Sequence, residues 1–541
     1  MKSVGSILVL VCLAVCAHAQ QAASVPGGQF EVSGTLVDSV SGAVVHNAFV
    51  QLVASRRADQ PRRSEVGTDG SFVFHNVPAG KYNLSAQAPG FLLQSFDQHE
   101  GFSTAIVVGP DKLSIGIVFR MRPMSAITGR VLDEHNEAVR DAQVWLFQKR
   151  NDMGRPLIEH HGVSQTDDLG EYRFGHLEPG TYYVVVSSQL WYRRYFQGGS
   201  RQRGGRFQNV TDVDPALDVA YPLTYYPGTI DGDEAGAIVL RAGDRIRADF
   251  NLIPVQSLHL TIREGSGEGN QPPAQPNFRQ IAFGQPIGFQ EANTVFQQGE
   301  MEISGIAPGN YDLNLYHFDP KGGARSNQRQ SLNLQQSGDL DISAAATVEP
   351  VHGTIKFDDS PPQNAFLQFR DLGSGNSMGT RVNERGEFSV QPEVPGRYVA
   401  MLANASGYAI RSLSATGARV SGRTLEITGA QPVELSIVVS KGVGTVSGTV
   451  MDGDKPVSGA MVVLVPEEIS DNASLFRRDQ SDSDGTFTLP DVVPGRYTAI
   501  SICNGWDLEW GSPDVLRPYL AHGTPIQIGV KQQLDIKVAA Q

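Results

Sequence analysis

Several groups of residues have types and spacings that could do chemistry. The segment GNSMG, residues 375–379, has the Gly-x-Ser-x-Gly form of a hydrolase nucleophile centred on Ser377. That elbow needs a strand-to-helix turn with a histidine and an acid nearby. No helical pattern follows Ser377, so hydrolase is a remote alternative. A zinc peptidase needs closely spaced His and Glu ligands. No His-x-x-Glu occurs, and the adjacent pair His160 and His161 falls in the polar stretch 151–164, read as a solvated connection. Asp479, Asp482 and Asp484 precede Gly485 like the start of a calcium loop, but the later acid of such a loop is missing. No catalytic residue, metal or cofactor is expected.

Two aromatic stretches are the better candidates. Trp191, Tyr192, Arg193 and Tyr195 are followed by Arg201, Arg203 and Arg206, and then by Tyr225 and Tyr226. Trp506 and Trp510 flank Asp507 and Glu509. Flat aromatic faces beside polar donors suit sugar rings, and arginines suit acidic polymers. The competing reading is that these rings cap the open end of their own sandwich.

The elements that would carry these loops come from one phrase. TDGSFVFHNVPAGKY, residues 68–82, returns at 167–182, 298–311, 384–398 and 483–497. A turn glycine (Gly70, Gly170, Gly299, Gly386, Gly485) stands ten residues before a second glycine, and a tyrosine follows two later (Tyr82, Tyr182, Tyr311, Tyr398, Tyr497). Asp-Gly makes a tight turn, the alternating Phe72, Phe74 and Val77 read as a half-buried strand, and Pro-x-Gly turns the chain again. The tyrosine is expected to pack or hydrogen-bond at a sheet corner.

Strand-like segments precede the phrase. VSGTLVD (32–38) and AFVQLVAS (48–55) recur as ITGRVLD (127–133) and AQVWLFQ (142–148), and as VSGTVMD (446–452) and AMVVLVP (460–466). Turn glycines lie 100, 129, 87 and 99 residues apart, the size of a small antiparallel sandwich. The expectation is an all-β chain, a tandem array of about five Greek-key β-sandwich domains. Residues 1–19 read as a signal peptide and 20–29 as a linker, followed by sandwiches at 30–123, 124–254, 255–347, 348–440 and 441–541. The second carries an insertion at 189–228, and the third and fourth are degenerate copies.

The pairing of V-x-G-x-V-x-D with A-x-V-x-L, T-D-x-x-G-x-F and P-G-x-Y resembles the carboxypeptidase regulatory-like domain. That family is close to the transthyretin-like, collagen-adhesin B-type and starch-binding-like sandwiches. Gly34, Ala48, Asp69, Gly70, Phe72, Gly80 and Tyr82 carry the resemblance in the first copy. Gly129, Ala142, Asp167, Gly170, Tyr172, Gly180 and Tyr182 carry it in the second, and Gly448, Ala460, Asp482, Gly485, Phe487, Gly495 and Tyr497 in the fifth. The resemblance implies sandwiches of about seven strands that accompany enzymes or surface receptors without being catalytic.

Lys2, an apolar run from Val4 to Val15 and Ala17-His18-Ala19 give the order of a secretory signal, with cleavage expected after Ala19. No other stretch approaches the length of a membrane span. With Cys12 and Cys16 in that segment, Cys503 is left as a lone thiol, expected to be buried. A net charge of −13 disfavours nucleic acid as a partner. The expected protein is a secreted or periplasmic, non-enzymatic scaffold or adhesion-type binder. Its expected partners are polysaccharide or another envelope protein, with a carbohydrate-binding accessory role as the alternative.

Overall fold

The structure is a computed structural model. It describes residues 29–55, 60–191, 217–263 and 275–541, apart from 291, 298–299, 320–322, 341–345, 348–349, 359–361, 363, 391, 393–394, 429–430 and 470. The expected signal peptide and nearly all of the linker lie outside the described residues. The protein is all-β, with a single α-helix, Pro513–Leu520, among the described residues.

The first unit shows the scheme. Strands β1 (Phe30–Asp38), β4 (Ser71–Val77) and β8 (Ile117–Met121) form one sheet in the order β4-β1-β8. Strands β2 (Phe49–Ala54), β3 (Arg62–Glu65) and β5 (Gly80–Gln87) form the other, with β6 (Gln94–Ser95) and β7 (Ile106–Val108) also pairing β5. Inward side chains from both sheets, among them Leu36, Phe72 and Phe119 facing Val50, Leu52 and Leu84, make one buried cluster. Each such side chain contributes roughly 1.5–3 kcal/mol of burial. The same pairing of two sheets over one cluster recurs around Val131, Leu260, Leu435 and Val450.

The sheets are mixed rather than purely antiparallel. β1 runs antiparallel to β4 but parallel to β8, with Gly34 opposite Ile117. The first strand of each later unit likewise pairs in parallel with its closing strand. At the crossing, an ideal Cβ on Gly34, Gly129, Gly353 or Gly448 would stand 2.2, 1.9, 2.3 or 2.2 Å from a carbonyl oxygen of that closing strand. It would also meet the ring of Phe72, Tyr172, Phe388 or Phe487. The V-x-G of the sequence motif is therefore a steric requirement.

The hairpin phrase works as its residue types suggest. Gly70, Gly170, Gly386 and Gly485 have φ of 77, 76, 77 and 78°. The turns are closed by side-chain oxygens at two alternative positions. Asp69 and Asp484 bond Ser71 and Thr486, whereas Asp167 accepts from Leu169 and Glu171. In the fourth unit Asn383 takes the place of Asp167, accepting from Arg385 and Glu387 at 3.0 and 2.8 Å. The tyrosines are buried, and the hydroxyls of Tyr82, Tyr182, Tyr311 and Tyr497 donate to the carbonyls four residues earlier at 2.9, 2.9, 2.7 and 2.8 Å. Each bond spans the Pro-Gly turn and holds the corner closed.

Replacing Tyr182 by Phe removes one buried hydrogen bond and is expected to cost about 1 kcal/mol. Gly129→Ala is expected to cost about 3 kcal/mol or more, because a backbone carbonyl cannot yield as a side chain would. Urea denaturation of the two variants checks this ranking.

Candidate functional site

The structure places three of the eight expected binding residues, Trp506, Trp510 and Tyr225, at junctions between units. Trp506 and Trp510 are each 6% exposed and belong to a cluster with Met461, Val463, Ile500 and Leu516. Trp506 stacks on His99 of the first unit, with ring centroids 5.0 Å apart and planes 6° apart, and also touches Phe102. Trp510 packs on Phe476, and the guanidinium of Arg478 lies 4.3 Å from its ring centroid. They are not an exposed sugar platform. The turn after Ile502 folds back onto the strand pair, because a neighbouring unit covers that face.

Tyr225 is likewise corrected. It is buried, meets Phe283 of the third unit edge-on at 5.4 Å, and burial pushes its hydroxyl up to about 12. Tyr226 leans on Phe250 of its own sandwich core. Trp191 is 72% exposed, while Tyr192, Arg193 and Tyr195 lie outside the described residues. The aromatic groups do not converge among the described residues.

The other candidates resolve into structural parts. Ser377 opens the strand Ser377–Arg381 of a β-hairpin, without the strand-to-helix turn a nucleophile elbow needs. His160 and His161 lie on the strand Arg155–Gln165 rather than in a loop, and the His160 ring rests against Trp145 and Phe147. Cys503 is exposed, not buried, because it follows the last residue of the strand Gly495–Ile502. Asp133, Glu134 and His135 bring three potential ligands together on one turn, where Asp133 accepts from the amides of His135 and Glu137.

The acidic run of the fifth unit is a docking surface. Asp482 takes the Lys81 ammonium and the Ala105 amide of the first unit, and Asp484 pairs with Lys112 at 2.8 Å. Beside them, Gln480 donates to the Asp97 carbonyl and Thr104, and Arg478 pairs with Glu100. Burial pushes the Asp482 carboxyl up, and Lys81 and the Ala105 amide offset that only in part. Asp479 is half-buried, and withdrawal from water pushes its carboxyl up to about 6 even though the amides of Thr488 and Gln480 donate to it.

Other junctions follow the same rule. Arg370 of the fourth unit reaches Asp152 at 2.7 Å and Glu159 at 3.0 Å on the second. Gln285 of the third donates to the carbonyls of Ile158 and Ser374, in the second and fourth units. Asp471 of the fifth unit binds Arg397 and Ser421 of the fourth. Asn151 and Gly154 at the tip of the Gln143–Gln165 hairpin bond Leu508 and Gly511 of the fifth. Segments hundreds of residues apart thus share buried polar contacts.

Residues 31–110 and 126–201 match the family model of the carboxypeptidase regulatory-like domain. The chain carries tandem carboxypeptidase regulatory-like domains. None of the curated proteins compared matches this chain in sequence. Similar solved structures include the Bacillus anthracis TIE protein, 10% identical over 94% of this chain and 74% of that one, with a TM-score of 0.17. They also include a minor pilin of Streptococcus agalactiae, 11% identical over 41% of this chain and 94% of that one, TM-score 0.21. The major pilin subunit of Bacillus cereus is 12% identical over 77% and 99%, TM-score 0.13. At these scores the likenesses carry no argument about what the regulatory-like domains here bind or assemble into.

The raised Asp479 carboxyl has a signed consequence. Its folded value lies above the unfolded one, so the folded state binds the proton more tightly, and stability falls as pH rises through about 4 to 6. The loss is on the order of 2–3 kcal/mol. Asp479→Asn is expected to flatten stability over that window, read as melting temperature against pH.

Proposed function

We propose that this protein is an exported, non-enzymatic scaffold of the cell envelope or exterior, whose regulatory-like units are locked into one body that presents binding surfaces. The observation that carries the reading is the docking of the fifth unit on the first through Lys81, Asp482, Lys112 and Asp484. The ammonium and carboxylate groups at this contact are partly withdrawn from water, so it is costly unless both units keep their relative placement. A chain of independent binding modules gains nothing from such a contact. A load-bearing or surface-presenting body does, because fixed geometry lowers the cost of ordering when it binds.

A second reading, as a carbohydrate-binding accessory protein, is favoured by the exposed Trp191 beside the arginine-rich insertion. The partner would then be a polysaccharide, with Tyr192, Arg193 and Tyr195, which follow Trp191 in sequence, as further candidates.

The mature chain is expected to melt in one cooperative calorimetric transition, which Lys81→Glu combined with Arg370→Glu splits into at least two. Several independent transitions in the unaltered protein would refute the locked scaffold. On a glycan array, loss of binding in Trp191→Ala would support the second reading. Unchanged binding would remove it.

A further inference from the structure

The outer face of the sheet β4-β1-β8 is apolar at its centre and open to water. Val73 on β4 and Val118 on β8 stand opposite Ser33 and Thr35 of β1, and the two valines are 39% and 44% exposed. Val44 bridges Val37 at one end of the face, and the segment carrying Ile115 runs beside β1, where the Ser33 amide donates to the Ser114 carbonyl. Both Val44 and Ile115 are exposed.

The equivalent faces of the other units are polar or charged. The residue after the crossing ring is Val73 here but Arg173, Ser389 and Thr488 in the second, fourth and fifth units. Val118 pairs with the residue after Gly34, and Ser436 and Lys537 pair with the residues after Gly353 and Gly448. In the third unit Glu302 and Asp339 flank Thr261. One scaffold thus solvates four of these faces with polar side chains and leaves valines on the first, where an uncovered apolar sheet face marks an interaction surface.

The charges at the two ends of the face say what fits it. Arg120, opposite Val37, is exposed and pairs with no carboxylate among the described residues. Asp38, the carboxylate nearest in sequence at that end, accepts from the amides of Val40 and Ser41. At the other end stands Glu31, 3.3 Å from His75. When two copies of this face meet with their strands antiparallel, the Arg120 end of each lies over the Glu31 end of the other, while the valines meet in the middle. With strands parallel, Arg120 would meet Arg120 and Glu31 would meet Glu31. A polar face from another unit would instead leave its own charges desolvated against valine.

We propose that this face joins two copies of the chain through an isologous, face-to-face sheet contact. A twofold axis places Val73 and Val118 of each copy against the other and pairs Arg120 with Glu31 of the partner copy at both ends. Three strands spaced about 4.8 Å apart give a face of roughly 400 Å² before the flanking turns, so the association is weak. Every residue involved belongs to the first unit, so the contact does not depend on the units being locked together.

Sedimentation velocity of the mature chain across roughly 1 to 300 µM, a range that brackets a weak association, tests this. A monomer–dimer equilibrium is expected. Val118→Lys should weaken it about tenfold or more by setting an unpaired ammonium against valine. The fifth unit carries Lys537 at the same place, so this substitution leaves the fold intact. Arg120→Glu should weaken association by a similar factor, and adding Glu31→Arg should restore it to within about threefold of the unaltered chain. A monomer at every concentration would overturn the proposal. So would a dimer unaffected by a folded Val118→Lys, or a charge exchange that restores nothing.

Discussion

In the first, second, fourth and fifth sandwiches the closing segment presses a carbonyl oxygen to within about 2 Å of where the first strand would carry a side chain, and glycine at that point lets the two pair; the third pairs in the same direction through Leu258–Arg263, which has no glycine. An aromatic ring from the hairpin phrase occupies the space on the other side. The first and last strands thereby meet in parallel beneath a ring donated by the middle of the unit. The tyrosine four residues beyond the proline-side carbonyl then holds the opposite corner. Backbone proximity, one ring and one hydroxyl bond account for most of what the copies share. Nearly everything else in them varies.

The variable parts determine how the units assemble. Loops that would be solvated on an isolated sandwich carry Trp506, Trp510 and Tyr225, and each of these rings ends against another unit. The charges beside them are matched across junctions, as with Arg370 between Asp152 and Glu159. A partly buried ion pair adds little net stability, but misdocking would leave one member desolvated and unpaired, which is costly. These pairs therefore select one arrangement, and the aromatic contacts add apolar burial to it.

Much of the fold was legible from residue spacing. Turn glycines, alternating apolar residues and the corner tyrosine are local, and their physics does not depend on distant parts of the chain. The degenerate fourth unit shows the limit. Asn383 performs the turn-closing role of Asp167 although it stands one residue before the copy at 384–398, because a side-chain oxygen serves equally from either of two positions. The mixed direction of the sheets was not legible either. Parallel pairing of first and last strands is decided by how the chain returns, which no single strand records.

Trp506 and Trp510 stand out in sequence because large rings in an inter-strand turn need an explanation, and within one unit two explanations are open, a sugar-binding face or a cap on the same sandwich; the contact with His99 and Phe102 belongs to neither. Sequence alone determined the all-β class, the repeated sandwich and the corner chemistry, since these follow from contacts within about fifteen residues. Only the tertiary structure decided which loops face water, because burial of a loop depends on units hundreds of residues away. The same arrangement brings Phe102, Met153, Arg423 and Trp510, from four units, to the walls of one cavity that no single repeat contains.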